Sequence, residues 1–291
     1  MENYSGKNAV ITGAASGLGF ALAESLVKQG ANVLMVDIEA GALDSAAEQL
    51  RAIATGKVLT QITDVSSASA MQALAGRAQR EFNAIHLLCN NAGVISASSL
   101  WESSIDEYQW VMGVNLWGII HSIREFVPLL KNQACPSHIL NTVSMGALVT
   151  LPYSGIYYMT KAAALSLSET LYLELQIEAP HVGVTALCPE FIRTNISTAE
   201  RNRPATLKAS THPMKDLVLG TLKTNTESDE AISPQDLAVR AFKAISEKRL
   251  YAIAEPDNPW FMCMDARFAA LRQAGNPPFM VPNREGVANL A

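Results

Sequence analysis

The sequence predicts an α/β fold: a single-domain, Rossmann-like, doubly wound parallel sheet of about seven strands. Seven short, β-branched apolar runs alternate with longer segments of helical periodicity. Most successive runs begin roughly 25–50 residues apart, the spacing of right-handed crossover connections between parallel strands. The runs are continuously apolar rather than alternating, as expected for strands covered by helices on both faces.

The predicted strands are residues 8–12, 32–36, 57–62, 86–89, 138–143, 182–187 and 250–254. The predicted helices are residues 18–29, 42–54, 67–82, 104–130, 156–177 and 234–246. Since no low-complexity linker interrupts this alternation, we assign residues 1–254 to one Rossmann-like domain.

Composition excludes several classes of protein. Of 291 residues, 49% are hydrophobic and 17% are charged, which excludes disorder for most of the chain. The net charge of −5 argues against a nucleic-acid or anionic-membrane partner, because phosphate contacts need clustered cations. The beginning of the chain lacks the apolar region of a secretory signal, and we find no membrane-spanning stretch. We expect a cytoplasmic protein that acts on a small molecule.

Cysteine and histidine positions argue against a metal site and a disulfide framework. Cys89, Cys135, Cys188 and Cys263 are far apart in sequence, and the five histidines form no HExxH pattern. Such cysteines are typical of reduced thiols in a reducing compartment. We therefore expect no bound metal.

Two segments depart from the strand–helix alternation. Residues 195–232 are polar, and an insertion of this length usually forms a functional lid. We call this segment the lid. Whether its arginines meet an anionic substrate or are simply solvated stays open.

Residues 255–291 form a C-terminal extension. Asn258 followed by Pro259 predicts the start of a helix. An apolar stripe follows on that helix, formed by Trp260, Met264, Phe268 and Leu271. The stripe either packs on its own domain or closes the cleft of a neighbouring subunit.

A glycine-rich turn follows the first predicted strand. Gly13, Gly17 and Gly19 have GxxxGxG spacing and precede the first helix. Glycines allow a tight turn and close approach to a pyrophosphate, which the free N–H groups of a helix N-terminus attract. The turn therefore predicts a dinucleotide site, although glycines also end strands in many other folds.

An acidic residue indicates which dinucleotide binds. Asp37 ends the second strand, where a carboxylate accepts hydrogen bonds from the adenosine ribose of NAD and repels the extra phosphate of NADP. Neither Ser16 nor Ile38 supplies a cation for that phosphate. The pattern favours NAD over NADP, with a merely solvated aspartate as the alternative.

A tyrosine and a lysine share one face of the helix predicted at residues 156–177. Tyr157 and Lys161 are four residues apart, and an ammonium group beside a phenol favours the phenolate. We expect Lys161 to lower the pKa of Tyr157, which suits general acid–base catalysis. Ser144 ends the preceding strand, at the sheet edge where such folds bind ligands.

Taken together, these motifs resemble the short-chain dehydrogenase/reductase family over roughly residues 5–255. The motifs are Thr12-Gly13-x-x-x-Gly17-x-Gly19, Asn90-Asn91-Ala92-Gly93, Asn115, Ser144 and Tyr157-x-x-x-Lys161. The resemblance implies that Tyr157 is the acid/base, that Ser144 positions the substrate oxygen, and that Lys161 holds the nicotinamide ribose. It also implies that Asn115 anchors a water relay to Lys161.

The resemblance extends to the whole cofactor site. The residues it implies there are Thr12, Gly13, Ser16, Gly17, Leu18, Gly19, Asp37, Asp64, Val65, Asn91, Ala92, Gly93, Tyr157, Lys161, Pro189 and Thr194. One position departs from the family pattern, because Glu190 replaces the glycine that usually follows the proline. How this loop turns, and whether its carboxylate faces the cleft, stays open.

The predicted function is NAD-dependent, reversible hydride transfer between a bulky, apolar secondary alcohol and its ketone. The residues expected to contact the substrate are Ser144, Met145, Leu151, Tyr153 and Phe191. The beginning of the lid and the long tail are similar to the aryl-carbinol (Cα) dehydrogenases of lignin-dimer breakdown. An NADP-dependent carbonyl reductase and a catalytically inactive nucleotide-sensing module remain alternatives. The family resemblance implies a homodimer or homotetramer formed through the helices at 104–130 and 156–177.

Overall fold

A computed structural model describes residues 4–277, 280–283 and 286–289. Its main sheet has seven parallel strands in the order β3-β2-β1-β4-β5-β6-β7. The strands are β1 (Asn8–Thr12), β2 (Asn32–Asp37), β3 (Val58–Ile62), β4 (Leu87–Asn90), β5 (Ser137–Thr142), β6 (Val182–Cys188) and β7 (Tyr251–Ile253). This is the predicted Rossmann-like sheet, and each strand ends within one residue of its predicted position.

Helices cover both faces of the sheet. They are α1 (Gly17–Lys28), α2 (Ala40–Arg51), α3 (Ala68–Glu81), α4 (Ile105–Met112), α5 (Gly118–Asn132), α6 (Gly155–Glu178), α7 (Lys215–Thr226), α8 (Pro234–Ser246) and α9 (Pro259–Arg272). Successive residues of β1 point to opposite faces. Ile11 packs with α1, α2 and α8, whereas Val10 packs with α3, α5 and α6. The two cores explain why the strands are apolar throughout.

The helix predicted at residues 104–130 is interrupted. Between α4 and α5 the chain makes a π-helical turn, Gly113–Trp117, which inserts an extra residue into the helical repeat. Asn115 lies in this turn with its side chain fully buried. The prediction of one regular helix is therefore wrong, because the amide of Asn115 binds backbone groups of the loop after β4.

The lid has secondary structure of its own. Asn195–Asn202 forms a 3-10 helix with a kink at Thr198, and twelve residues separate it from α7. The two ends of the lid meet, because Ile192 and Ile232 form an isolated parallel bridge. The lid is therefore an excursion that leaves the sheet after β6 and returns just before α8.

The C-terminal extension begins with the predicted helix. The side chain of Asn258 accepts a hydrogen bond from the Trp260 amide, and Pro259 is the first residue of α9. Only the first half of the predicted stripe is covered: Trp260 is 7% exposed, while Phe268 and Leu271 are 37% and 61% exposed. A hairpin of β8 (Met280–Asn283) and β9 (Gly286–Asn289) follows; residues 278, 279, 284, 285, 290 and 291 of the extension lie outside the described residues.

In the described part of the chain, no helix combines the length and apolar character needed to cross a bilayer.

Candidate active site

A deep cleft opens at the carboxyl ends of the strands, beside the β1–β4 pair where the strand order reverses direction. Open α/β sheets bind their ligands at this topological position. The cleft encloses about 1540 Å³ of empty space, part of it open to solvent. Its walls come from both halves of the sheet, the lid and α9.

The glycine-rich turn forms the floor of the cleft at the start of α1. Gly13 and Gly17 have φ values of +65° and +54°, which favour glycine. A Cβ atom at Gly13 would lie 2.9 Å from the Cα of Ala92, and one at Gly17 would lie 3.0 Å from Cγ2 of Thr194. Among the described residues no side chain caps α1, so its first N–H groups are available to a phosphate.

A hydrogen-bond network fixes this turn to the loop after β4. The hydroxyl of Thr12 accepts hydrogen bonds from the amides of Asn91 and Ala92, at 2.9 and 3.1 Å. The Asn91 side chain donates to the carbonyls of Thr12 and Gly13. Gly19 lies behind the turn, where a Cβ atom would come within 2.0 Å of the Gly13 carbonyl oxygen. Thr12 and Gly19 therefore support the cleft from behind and are not part of its wall.

The other cofactor residues implied by the sequence lie in the wall of one cleft. They are Gly13, Ser16, Gly17, Leu18, Asp37, Asp64, Val65, Asn91, Ala92, Gly93, Tyr157, Lys161, Pro189 and Thr194. Asp37 accepts a hydrogen bond from the Ala15 amide at 3.0 Å, which joins the end of β2 to the glycine-rich turn. Its other oxygen accepts from the amides of Ile38 and Glu39.

Ser144, Tyr157 and Lys161 meet in the same cleft. Ser144 follows β5 and lines the cleft with Tyr157, near enough for its hydroxyl to act on the pKa of the phenol, while its Oγ accepts a hydrogen bond from the Gly146 amide at 3.0 Å. The Nζ of Lys161 lies 5.7 Å from the ring centroid of Tyr157 and donates to the carbonyl of Thr142 at 2.9 Å. The i,i+4 spacing on α6 thus places the phenol and the ammonium group side by side.

Burial governs the ionisation of both groups. It raises the pKa of Tyr157 above its usual value, although the hydroxyl of Ser144 acts in the opposite direction. Burial also lowers the pKa of Lys161 to about 8. The expectation that Lys161 lowers the pKa of Tyr157 is therefore not met in the chain alone, because desolvation of the phenol is the largest influence.

Asn115 lies behind this group, with its side-chain amide fully engaged. Its Oδ1 accepts from the Val94 amide at 2.8 Å, and its Nδ2 donates to the Val94 carbonyl and to Thr160 Oγ1. A Cβ atom at Gly93 would lie 3.5 Å from Asn115 Oδ1 and 3.6 Å from Lys161 Nζ. The π-helical turn thus brings Asn115 close to Lys161 without making it part of the cleft wall.

The structure shows what the carboxylate of Glu190 contacts. Glu190 lies in the cleft wall next to Pro189, but its carboxylate forms a two-point ion pair with Arg240 of α8. The distances are 2.7 and 2.9 Å. The negative charge at this position is therefore matched by a cation from a different part of the fold.

The predicted substrate residues do not all reach the cleft. Ser144 and Phe191 line it. Met145 is fully buried and Leu151 packs with it in the core beside α6, because the chain turns inward in the short 3-10 helix Met145–Ala147. Tyr153 packs against His212 of the lid, with ring centroids 5.6 Å apart. The prediction that Met145, Leu151 and Tyr153 line the substrate cleft is therefore corrected.

Several wall residues were missed by the sequence reasoning. Trp110 of α4, Tyr158 of α6, Leu222 of α7 and Trp260 of α9 all line the cleft. Trp260 packs edge-on against Phe191, with ring centroids 5.2 Å apart. The apolar stripe of α9 is a signal that includes Trp260, and the structure shows that this side chain reaches the cleft of its own chain.

One lid arginine is buried in the cleft region. The guanidinium of Arg203 lies 4.1 Å from the Trp110 ring centroid, and its side chain is only 5% exposed. It pairs with Glu200 of the lid and lies 3.6 Å from Glu107 of α4. This arginine is packed against the wall residue Trp110 and is not a solvated surface group.

Comparison with known proteins agrees with this arrangement. The model of the short chain dehydrogenase family matches residues 7–205, which contain the glycine-rich turn and the Ser144, Tyr157 and Lys161 group. The chain belongs to the short-chain dehydrogenase family. On this membership the protein is an oxidoreductase of the alcohol dehydrogenase type, in a family that uses a nicotinamide cofactor. The second part of the lid and all of α9 lie outside the matched residues.

Individual short-chain dehydrogenases cover most of the chain. A C alpha-dehydrogenase from Sphingobium sp. strain SYK-6 is 31% identical over 261 residues, covering 88% of this chain and 83% of the relative. A 1-deoxy-11-beta-hydroxypentalenate dehydrogenase from Streptomyces avermitilis is 36% identical over 219 residues, covering 74% and 80%. A short-chain dehydrogenase/reductase from Burkholderia phymatum, solved in complex with NAD, is 38% identical with a TM-score of 0.91, covering 95% of this chain and 98% of that one.

Proposed function

We propose that this short-chain dehydrogenase catalyses NAD-dependent, reversible oxidation of a bulky, apolar secondary alcohol to its ketone. The observation that carries the proposal is that Ser144, Tyr157 and Lys161 line the same cleft as the glycine-rich turn, with Lys161 Nζ 5.7 Å from the centroid of the phenol ring. Such a reaction requires an acid/base, a hydroxyl that positions the substrate oxygen, and a binding site for the nucleotide.

The described residues fit a nicotinamide dinucleotide. Gly13 and Gly17 let the turn pack closely against Ala92 and Thr194, and the N-terminus of α1 beside the cleft has no side-chain cap. Asp37 would take the adenosine ribose, and its negative charge disfavours the additional phosphate of NADP. The NAD complex of the Burkholderia phymatum relative adds support. When bound, the nicotinamide accepts or donates the hydride.

The chain's own residues supply the proton path. In oxidation, the Tyr157 oxygen takes the proton of the substrate hydroxyl while Ser144 Oγ holds the same substrate oxygen in place. Lys161 would hold the nicotinamide ribose from its position beside the phenol. Because burial raises the pKa of Tyr157, the neutral phenol suits ketone reduction near neutral pH, and alcohol oxidation is favoured at alkaline pH.

The lining of the cleft favours a large apolar substrate. Ile95, Trp110, Phe191, Leu222 and Trp260 contribute apolar or aromatic surface around the reacting group. Aromatic walls suit aromatic or polycyclic carbinols, because such surfaces stack and exclude water. The named relatives, a C alpha-dehydrogenase and a 1-deoxy-11-beta-hydroxypentalenate dehydrogenase, add support for a bulky alcohol.

We also propose a cytoplasmic homo-oligomer. Trp117, Leu173 and Ile177 are 47%, 62% and 84% exposed on the α5 and α6 surface, where a second subunit would cover them. The four cysteines are free thiols, as a reducing compartment keeps them. A mass of 31 kDa by light scattering would contradict the oligomer.

The experiment that tests the function measures NAD and NADP reduction with aliphatic, polycyclic and aryl secondary alcohols. We expect NAD reduction with the aryl or polycyclic alcohols, and a loss of at least about 100-fold in kcat for Tyr157→Phe with NADH binding unchanged. Tyr158→Phe is the matched control, since it removes the neighbouring hydroxyl. Tight NADH binding without turnover of any alcohol would instead support a nucleotide-sensing module, and faster turnover with NADP would support the carbonyl reductase.

A further inference from the structure

The lid is joined to the loop after β2 by a cluster of hydrogen bonds on one oxygen. Oε1 of Glu39 accepts from Nε of Arg201 at 3.0 Å and lies 2.8 Å from its Nη2. The same oxygen accepts from Nδ2 of Asn202 at 2.8 Å. These partners are more than 160 residues apart in sequence, and they meet because the lid folds back over the loop after β2.

The guanidinium of Arg201 is held from its other side as well. Its Nη1 donates to the carbonyls of Asn195 and Thr198 and to the Thr198 hydroxyl, at 3.0–3.1 Å. These acceptors belong to the 3-10 helix that carries Arg201. The cation is therefore fixed on the lid, and its direction depends little on Glu39.

The Arg201–Glu39 pair lies in the wall of the cleft. Arg201 and Glu39 both line the cleft, together with Asp37 and Ile38 at the end of β2. That end of the cleft is where Asp37 would meet the adenosine ribose. Burial opposes ionisation of Glu39, but the hydrogen bonds from Arg201 and Asn202 prevail and lower its pKa, so the carboxylate is ionised at neutral pH.

The guanidinium of Arg201 is a second charged group that could affect which cofactor binds. The local sequence shows no basic residue near Asp37, yet the fold places the Arg201 guanidinium on Glu39, two residues after Asp37. A guanidinium is the side chain best suited to bind a phosphate in a two-point contact. Here its Nε and Nη2 are already occupied by Glu39.

We propose that Glu39 is a second determinant of cofactor selectivity, which acts by occupying Arg201 so that the lid arginine cannot serve as a 2′-phosphate site. The inference rests on the proposed NAD function, and it assigns a specificity role to two residues that do not touch the reacting atoms. Asp37 repels the phosphate directly, whereas Glu39 withholds the cation that would attract it.

The test is a double-mutant cycle on nucleotide binding that needs no turnover. Glu39→Gln keeps the shape of the side chain and one acceptor oxygen but removes its charge. The variants are Glu39→Gln, Arg201→Gln and the double variant. Isothermal titration calorimetry measures Kd for NADH and NADPH, and for 5′-AMP and 2′,5′-ADP, which report the adenosine half alone.

We expect Glu39→Gln to tighten NADPH and 2′,5′-ADP binding roughly fivefold relative to NADH and 5′-AMP, the scale of a partly exposed ion pair. In the Arg201→Gln background the same substitution should produce little of that gain. Asp44→Asn is the matched control, because Asp44 is an exposed carboxylate on the neighbouring α2, and its loss should not change the ratio.

Two results would overturn the inference while leaving the proposed function intact. If the double variant shows the full gain of Glu39→Gln, the effect is loss of repulsion and Arg201 has no part in it. If wild type prefers NADH and Glu39→Gln weakens both dinucleotides equally, the pair only closes the lid. A wild-type protein that binds neither dinucleotide, or that prefers NADPH, would instead defeat the proposed NAD function and the inference with it.

Discussion

The two carboxylate oxygens of Glu190 accept hydrogen bonds from the two terminal nitrogens of Arg240, at 2.7 and 2.9 Å. The side chains are only 11% and 20% exposed. The pair joins the loop after β6, which lines the cleft, to α8, which packs on the opposite side of that loop. A charged residue therefore occupies the usual glycine position of the family because α8 supplies its partner.

Breaking this pair from the arginine side should destabilise the fold. Arg240→Met leaves a largely buried carboxylate without its partner, and we expect the free energy of unfolding to fall by about 2 kcal/mol in urea denaturation. The double variant Glu190→Gln/Arg240→Met should recover part of that loss, because no buried charge is left unpaired. Equal losses in the single and double variants would mean that the methylene packing of Arg240 matters and the ion pair does not.

The buried ammonium group of Lys161 should lower the free energy of unfolding at neutral pH. Its folded pKa of about 8 lies below the usual 10.5, so the unfolded chain binds more protons than the folded chain between these values. Stability should therefore rise as the pH increases from about 8 to 10.5. Lys161→Met should stabilise the protein at pH 7 by about 2 kcal/mol while abolishing turnover.

Thermal unfolding as a function of pH checks the Lys161 prediction. Lys28→Met is the control, because Lys28 is an exposed lysine on α1. A Lys161→Met protein that is less stable than wild type at pH 7 would show that the hydrogen bond to the Thr142 carbonyl outweighs the cost of burial.

Glu107 should make the protein less stable as the pH rises from acid toward neutral. Both carboxylate oxygens are buried without a hydrogen-bond partner among the described residues, although Arg203 lies 3.6 Å away. Burial raises its pKa above 4.5, so the unfolded chain loses this proton first and stability falls as the pH rises above that value. Glu107→Gln should remove this decrease, and the exposed Glu48→Gln should not.

Urea denaturation at several pH values between 4 and 8 measures the contribution of Glu107. If Glu107→Gln follows the wild-type pH dependence, or loses stability most at neutral pH, attraction to Arg203 governs this carboxyl and the prediction is wrong.

Trp260 should couple the C-terminal helix to the substrate cleft. Trp260→Ala removes a 7% exposed side chain and its edge contact with Phe191, so we expect a loss of about 3 kcal/mol in the free energy of unfolding. Met262→Ala, 51% exposed on the same helix, should change stability by less than about 0.5 kcal/mol. Trp260→Phe should retain most of the stability but raise KM for the bulkiest alcohols. Unchanged KM values for every alcohol would place Trp260 in the core alone.

Local patterns in the sequence were sufficient to predict the seven strands, the glycine-rich turn and the Tyr157–Lys161 pair. The seven strands were found because each is buried on both faces and so is apolar along its whole length, as Val10 and Ile11 show. Gly13 and Gly17 mark the turn because only glycine suits their positive φ values. Tyr157 and Lys161 lie side by side because helical geometry places residues four apart on one face.

Tertiary structure decided which residues after β5 enter the core and how burial shifts the pKa of Tyr157. Met145 and Leu151 follow Ser144 closely in sequence, yet they lie in the core, since the 3-10 helix after β5 turns them away from the cleft. The expected acidification of Tyr157 was reversed by burial, which no local spacing reports.

The sequence by itself determined the sheet, the glycine-rich turn and the adjacency of Tyr157 and Lys161, because each depends on residues within one strand, one turn or one helix. The lid and α9 are different, since their path over the cleft depends on packing of the complete domain. That path brings Arg201 to Glu39 and Trp260 to Phe191, across sequence separations of 162 and 69 residues. The Arg201–Glu39 pair and the aromatic part of the cleft wall were therefore set by the tertiary structure alone.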